Sequence, residues 1–220
     1  MNIALLLYVI YLSSILSCAI VAYALRKSLP GRKLFIFVPY LFYVFTQELS
    51  LWIAQSYNSA ASTNLVYNIY RFLTVFLFGY VYYSIPLMAP LRKIILWMAI
   101  LYLLAFIVIH GFFDSILNSN GYLVLMRGIV ISFFGIFFLF RYFHLDNRSE
   151  EEFWMPVLWV TVGIIIFYPV TGISTGFQKY LSDNNATFAG FKLYQLIPQV
   201  LSIFMYGCFT YAFYLCKKKS

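Results

Sequence analysis

Residues 65–78 read LVYNIYRFLTVFLF, a run of apolar and aromatic side chains that carries one arginine, Arg71. The run opens an apolar block of about 20 residues, the length that a helix needs to cross roughly 30 Å of hydrocarbon. Similar blocks recur along the 220-residue chain, in which 63% of the residues are hydrophobic and 10% are charged. A soluble domain is closer to half apolar and a quarter charged. The sequence therefore predicts an all-α fold, a polytopic membrane protein built as a seven-transmembrane helix bundle.

The apolar blocks divide residues 1–216 into seven predicted spans that form a single transmembrane domain. The links between the spans are too short to hold a soluble domain, and residues 217–220 (KKKS) form a basic tail. Ser149 with Glu152 three residues later is the pattern of a capping box and predicts the start of the sixth helix. The predicted spans are about 3–25, 34–54, 65–85, 92–110, 122–143, 153–172 and 190–215.

The basic residues are distributed unequally between the two ends of these spans. Eleven lie in the first, third and fifth links and the tail, and only Lys179 and Lys192 lie near the other ends. By the positive-inside rule, the N-terminus is outside and the C-terminus is cytoplasmic. We therefore expect a multi-pass protein of the cell inner (plasma) membrane, whose net charge of +8 faces anionic lipid rather than nucleic acid. The eleven residues are Arg26, Lys27, Arg32, Lys33, Arg92, Lys93, Arg141, Arg148, Lys217, Lys218 and Lys219.

Three charged residues inside the predicted spans fall at one depth once this orientation is set. A rise of 1.5 Å per residue places Glu48, Arg71 and Arg127 about 10 Å below the outer membrane face. Ionisable groups within a bilayer are costly to bury and are functional candidates by default. We expect Glu48 to pair with Arg71 or Arg127, which leaves one arginine without an acidic partner.

Polar residues share helix faces with these charges. Asn64 and Asn68 lie on the face of Arg71, and the seventh span has Lys192, Gln195 and Gln199 on one face. We therefore predict an outer-half ligand pocket formed by Glu48, Asn68, Arg71, Arg127, Lys192 and Gln195. The alternative is structural: Glu48 and Arg71 form a buried pair that fixes how two spans pack, and Arg127 extends toward lipid headgroups.

No pattern of a catalytic, metal or cofactor site is present in the sequence. The two histidines lie far apart, no His/Cys/Asp cluster has metal-ligand spacing, and no nucleotide-binding or nucleophile-elbow motif occurs. Lys192 lies near the outer end of the last span rather than at mid-membrane, which argues against bound retinal. We therefore expect neither enzyme activity nor a cofactor.

Short motifs in three spans resemble those of an uncharacterised family of small seven-helix inner-membrane proteins of Bacteroidota type. They are Thr46-Gln47-Glu48-Leu49-Ser50, Val66-Tyr67-Asn68-Ile69-Tyr70 and Glu152-Phe153-Trp154, followed by a last span that ends in basic residues. The architecture is also similar to the seven-transmembrane sensory input domains of some histidine kinases. The resemblance implies an inner-membrane protein with a sensory role and no known reaction.

Three functional interpretations follow from the sequence. The first is a receptor-like sensor that binds a small polar or anionic ligand in the outer-half pocket and signals through a separate cytoplasmic or membrane partner. The second is a small-solute transporter in which spans one to three repeat as spans five to seven around span four. The third is a structural subunit of a membrane complex. A sealed apolar inner half favours sensing, whereas a continuous polar path favours transport.

Overall fold

The structure, a computed structural model, describes residues 3–57, 63–118, 120–188 and 191–217. Helices account for most of these residues, so the all-helical prediction is confirmed. The long helices are α1 (Ile3–Ala24), α2 (Phe37–Tyr57), α3 (Asn64–Ser84), α4 (Arg92–Val108), α5 (Gly121–Tyr142), α6 (Arg148–Gly176) and α8 (Leu193–Lys217), and the short helix is α7 (Gln178–Asp183).

Several short elements join the helices. Turns of 3-10 helix, Pro30–Arg32 and Pro86–Leu91, precede α2 and α4, and one π-helical turn, Ile109–Phe113, extends α4. Two short antiparallel strands, β1 (Thr187–Phe188) and β2 (Phe191–Lys192), precede α8, with Thr187 opposite Lys192. Residue 192, predicted to lie inside the last span, therefore belongs to a strand just before the helix.

Within the part of the chain that the structure describes, six helical segments are long and apolar enough to cross a membrane, which indicates a multi-pass membrane protein. α2 is also long, with 21 residues, but it is less apolar because Thr46, Gln47, Glu48 and Gln55 lie within it. The predicted number of spans, seven, is therefore one more than the number of described helices that are long and apolar enough to cross a membrane. The six segments are Leu5–Ala24, Asn64–Ser84, Pro86–Phe113, Gly121–Tyr142, Arg148–Gly176 and Leu193–Lys217.

The sixth long helix begins earlier than its predicted span because a different residue caps it. The predicted cap, Ser149, is wrong: α6 starts at Arg148 and its N-cap is Asn147. The Asn147 Oδ1 accepts hydrogen bonds from the Ser149 backbone N–H at 3.0 Å and from its hydroxyl at 2.8 Å. Asparagine is a strong N-cap residue because its short side chain satisfies a free N–H of the first turn. The preceding residue therefore takes the role predicted for Ser149.

The bundle has two different ends. We call them the basic end and the cavity end, the latter being the end where α2 ends at Tyr57 and α3 begins at Asn64. Basic residues of the described chain cluster where α1 ends and α2 begins, and where α5 ends and α6 begins. The basic end includes Arg32, which is 5% exposed and donates from its Nε to the Phe153 carbonyl at 3.0 Å. Residues 218–220 of the predicted tail lie outside the described residues.

α4 packs against α3 and α5 at the outside of the bundle, whereas α6 packs along both α5 and α8. In the segment that contains α4, only 17% of the most apolar 18-residue stretch is buried inside the bundle, less than in the other five segments. Its exposed side chains are large and apolar, as with Trp97 at 62% exposed. This surface is suited to lipid contact.

A row of glycines brings α5 and α6 into close contact. Gly121, Gly128 and Gly135 are spaced seven residues apart on α5 and share one face. A Cβ atom at Gly128 would lie 2.7 Å from the Tyr168 carbonyl oxygen and 3.7 Å from the Gly172 Cα. Small residues let helix backbones approach within a membrane, where packing drives helix association. This contact fixes the position of Arg127, which directly precedes Gly128 on α5.

Candidate ligand-binding cavity

A cavity of about 350 Å³ lies inside the cavity end of the bundle, with walls from α1, α2, α3, α5, α6 and α8. Four of the six predicted site residues line it: Glu48, Arg71, Arg127 and Gln195. The structure thus brings together the three charged side chains that depth counting places at one level. The other lining residues are Tyr8, Tyr11, Gln55, Tyr67, Tyr70, Phe167, Thr171, Thr175, Tyr194, Pro198, Gln199, Ser202 and Tyr206.

Glu48 is surrounded by tyrosines. Its side chain is 9% exposed, and the Tyr67 hydroxyl donates to its Oε2 over a long distance of 3.5 Å. The Tyr11 side chain lies beside the same carboxylate, and the Tyr8 hydroxyl donates to the Glu48 backbone carbonyl at 3.2 Å. Among the described residues, the hydrogen-bond partners of this carboxylate are therefore hydroxyl groups, and not the guanidinium groups that the sequence predicts.

Asn68 positions other groups instead of lining the cavity. It is 2% exposed, and its Nδ2 donates to the backbone carbonyls of Ile116 and Asn118, both at 2.8 Å. Its Oδ1 accepts a hydrogen bond from an Arg71 terminal nitrogen at 2.9 Å. Asn68 therefore ties α3 to the link between α4 and α5 and orients Arg71 at the same time. Asn68 is not among the residues that line the cavity, and its role in ligand binding stays a prediction.

Replacing Asn68 by alanine is expected to destabilise the protein by about 1–3 kcal/mol, because two backbone carbonyls and an arginine N–H lose their hydrogen-bond partner. Unfolding of the purified protein in detergent, followed by circular dichroism, measures this change. Asn64→Ala is the matched control, since Asn64 lies one turn away on the same helix and is only half-buried. Equal stability of the two variants would contradict the anchoring role of Asn68.

Arg127 is the most buried cation of the cavity. It is 8% exposed, its guanidinium carbon lies 5.5 Å from the centre of the Tyr168 ring, and its Nε is buried without a hydrogen-bond partner among the described residues. Arg71 is half-buried and close enough for the two guanidinium groups to repel each other. Among the described residues, two cations and one carboxylate line the cavity, so its charge favours an anion.

Lys192 and Gln195 occupy different places. Lys192 lies on β2, is exposed and has its Nζ 5.9 Å from the centre of the Tyr194 ring. It is absent from the cavity lining, and its role in ligand binding stays a prediction. Gln195 is exposed and lines the cavity, as a residue at the mouth does. The reason for the difference is that the helical face predicted through residue 192 begins only at Leu193.

Tyrosines are the cavity residues that sequence reasoning missed. Tyr8 and Tyr11 line it from α1, Tyr67 and Tyr70 from α3, and Tyr206 from α8. Their spacing was a usable signal, because residues three apart on a helix share a face and Tyr67, Tyr70 and Arg71 lie within four positions. Tyrosine is commonly assigned to the membrane interface, so it is easily overlooked as a lining residue.

Aromatic side chains close the cavity toward the basic end. The Tyr40 and Tyr70 hydroxyls are hydrogen-bonded at 3.0 Å. Beyond them, the Phe37 ring packs 5.3 Å from the Phe209 ring, and the Phe78 ring packs 5.4 Å from that of Tyr168. The fully buried phenylalanines of this region are Phe37, Phe78, Phe134, Phe138, Phe209 and Phe213. The interior beyond the cavity is therefore packed with apolar side chains, many of them aromatic.

The link between α4 and α5 is organised around Asp114. Asn118 donates to its Oδ1 at 2.9 Å and Asn120 donates to its Oδ2 at 3.2 Å. Asn120 also caps α5, because its Oδ1 accepts two backbone N–H groups of the first helical turn. Since Asn68 binds carbonyl groups of this link, the network supports the residues that orient Arg71.

The hydrogen bonds from Asn118 and Asn120 hold the pKa of Asp114 below the ordinary aspartate value of 3.8. A carboxyl whose pKa is lowered by folding contributes stability above its unfolded pKa, and this stability is lost as the pH falls through the folded value. We expect the melting temperature in detergent to decrease as the pH drops below about 4, and to decrease less in Asp114→Asn. An identical acid response in the two proteins would contradict a folded-state role for the Asp114 charge.

Comparison with known proteins gives no further guide to the site: no protein-family model, curated protein or solved structure matches the chain. Among the described residues, no group of three His, Cys, Asp or Glu side chains is placed to hold a metal ion. The chemistry of the cavity must therefore be argued from its own side chains, which are guanidinium, carboxyl, amide and phenol groups. These groups bind and orient a polar molecule.

Proposed function

We propose that the protein is a receptor-like protein of the inner (plasma) membrane that binds a small anionic ligand in this cavity. In the proposed topology α2 is also a span and completes the set of seven, since its Glu48 and Gln55 line the cavity and its 21 residues are enough to cross the bilayer. The basic end lies in the cytoplasm by the positive-inside rule. The cavity then opens to the outside, and the N-terminus lies on the same side.

The observation that carries this proposal is the buried Arg127 guanidinium, whose Nε has no hydrogen-bond partner among the described residues. A buried charged donor without an acceptor is costly. A phosphate or carboxylate oxygen in the cavity would supply that acceptor and offset the repulsion between Arg127 and Arg71. The Glu48 carboxylate and the tyrosine hydroxyls would orient the hydroxyl or amine groups of the same ligand.

The size of the cavity suits a small molecule. Its volume of about 350 Å³ lies near the lower end of the range for ligand pockets. The lining combines charged groups with phenol rings, which provide both polar contacts and flat apolar surface.

Sensing agrees better with the interior than transport does. A transporter needs a polar route through the membrane, whereas rings such as Phe37, Phe78 and Phe209 fill the interior between the cavity and the basic end. If spans one to three repeated as spans five to seven, α2 would pack against α3 in the same way as α6 packs against α8. α6 and α8 pack closely, but α2 and α3 are not among the closely packed pairs of the described helices. We propose that a separate partner at the basic end receives the signal.

Thermal stabilisation of the detergent-purified protein tests ligand binding. Glycerol 3-phosphate and other phosphate or carboxylate compounds are expected to raise the melting temperature, and glycerol is the uncharged control. A ligand at about 100 times its Kd adds about 2.7 kcal/mol to stability. Equal melting temperatures with glycerol 3-phosphate, a matched carboxylate and glycerol would contradict the proposed function.

A further inference from the structure

The ligand cavity continues sideways between α1 and α2. A second cavity, of about 370 Å³, shares Tyr8, Gln55, Tyr67, Gln195 and Gln199 with it. The residues that only the second cavity has are apolar: Leu5, Leu51 and Trp52. The wall therefore changes from charged to apolar as it leaves the centre of the bundle.

From there, an apolar groove follows the outside of α1 and α2. It has a volume of about 230 Å³ and meets the second cavity at Tyr8 and Trp52, whose rings stack 6.1 Å apart. Trp52 is 40% exposed and Val9 is 49% exposed, so the groove opens onto the lipid-facing surface. Its lining residues are Tyr8, Val9, Leu12, Ser13, Leu16, Phe45, Leu49 and Trp52.

The length of this path corresponds to one membrane leaflet. Leu5 and Leu16 mark its two ends along α1, and this part of the helix rises about 16 Å. Half of a hydrocarbon core of roughly 30 Å is about 15 Å. In the proposed topology the path begins at the cavity, near the outer face, and ends near the bilayer centre. A lipid chain of the outer leaflet spans the same depth.

We infer that the ligand is an anionic amphiphile, with a phosphate or carboxylate head between Arg71 and Arg127 and one apolar chain in the α1–α2 groove. This inference rests on the proposed function and adds the class of ligand. Charge complementarity places the head, because two guanidinium groups and one carboxylate are the charged groups that line the cavity among the described residues. Continuity of the three spaces places the chain, because Tyr8 lines all of them. A helix of another protein would cover α1 and α2 from outside but would bring no anion to Arg127.

Contact quenching of Trp52 by brominated lipid chains tests this inference in the full-length protein. The protein is reconstituted in nanodiscs of phosphatidylcholine that contain a small, fixed fraction of brominated phosphatidate, brominated fatty acid or brominated phosphatidylcholine. The Trp52 signal is the difference between the wild-type protein and Trp52→Phe. We expect at least about five-fold stronger quenching by one of the anionic lipids than by phosphatidylcholine.

Arginine variants show whether the preference comes from the cavity. Arg127→Gln and Arg71→Gln are both expected to remove it, and either one suffices if the other does not fold. Arg141→Gln, on the same helix as Arg127 but at the basic end, is expected to keep it. Ser13→Phe fills the groove and is expected to weaken quenching by the anionic lipids, whereas Ile20→Phe, on the lipid-facing side of α1 outside the groove, is not.

Equal quenching by charged and neutral lipids would overturn the inference, and so would a preference that persists in both cavity variants. If glycerol 3-phosphate still stabilises the protein in that case, the proposed function stands and the ligand is a water-soluble anion. If neither the soluble anions nor the anionic lipids bind, both proposals fail. Protection of Trp52 from every brominated lipid would contradict the inference and indicate a protein partner over the groove.

Discussion

Arg127→Gln is expected to lower the affinity for an anionic ligand at least about ten-fold. Hydrogen bonds to charged groups contribute about 1.5–3 kcal/mol, and 1.4 kcal/mol corresponds to a factor of ten in Kd. Glutamine retains an amide nitrogen as many bonds from Cα as the arginine Nε, but it removes the positive charge that attracts the ligand. Ligand-induced stabilisation of the purified variant, titrated with glycerol 3-phosphate, measures the change in affinity.

Arg141→Gln is the matched control for this experiment. Arg141 belongs to the same helix, α5, but its Nε donates to the Leu87 carbonyl at 3.3 Å at the basic end. Fourteen residues of helix separate the two arginines by about 21 Å. The control is expected to bind as the wild-type protein does. Equal loss of affinity in both variants would indicate a general charge effect, and unchanged binding in Arg127→Gln would contradict the cavity site.

Gly128→Ala is expected to destabilise the protein by about 1–3 kcal/mol, although alanine normally favours a helix over glycine. The new Cβ atom would lie 2.7 Å from the Tyr168 carbonyl oxygen, which belongs to the backbone of α6. Backbone cannot rotate away as a side chain can, so α5 and α6 must separate. Because Arg127 is adjacent, anion binding is expected to weaken together with stability. Thermal unfolding in detergent and the same titration measure the two effects.

Gly207→Ala provides the matched control, since a Cβ atom at Gly207 would meet no atom within 4 Å. This substitution is expected to leave stability unchanged or to raise it by up to about 1 kcal/mol, because alanine is the better helix former. If Gly128→Ala proved as stable as Gly207→Ala, the close contact between α5 and α6 would be disproved.

The helices could be predicted from the sequence because their cause is local. An apolar block of about 20 residues forms a helix in a bilayer whatever surrounds it, since its backbone groups have no other partners there. The errors lie at the helix ends, where single side chains decide. Asn147 takes the cap predicted for Ser149, and a strand pair places Lys192 before α8.

The cavity could be predicted in part because depth along a helix is a simple count. Counting placed Glu48, Arg71 and Arg127 at one level, and all three line one cavity. Counting residues along a helix does not show which side chains meet the link between α4 and α5. Asn68 therefore reaches the carbonyls of Ile116 and Asn118, and no feature of the sequence predicted this contact. Counting also does not give the rotation of neighbouring helices about their axes, so it does not predict that tyrosines of α1 and α3 surround Glu48 of α2.

The glycine row on α5 is a sequence pattern that indicates a close helix contact. Its spacing of seven residues is visible in the sequence, at Gly121, Gly128 and Gly135. The sequence alone does not show which helix packs against this face, because the pairing of helices depends on surfaces that are distant in sequence. The structure identifies α6 as that partner.

Native mass spectrometry of the protein released from its own membrane tests the central claim most directly. We predict that the wild-type protein and Arg141→Gln retain a small molecule with a phosphate or carboxylate group, and that Arg127→Gln loses it. A wild-type protein that carries no such molecule, or one retained equally by Arg127→Gln, would contradict an anion-binding cavity.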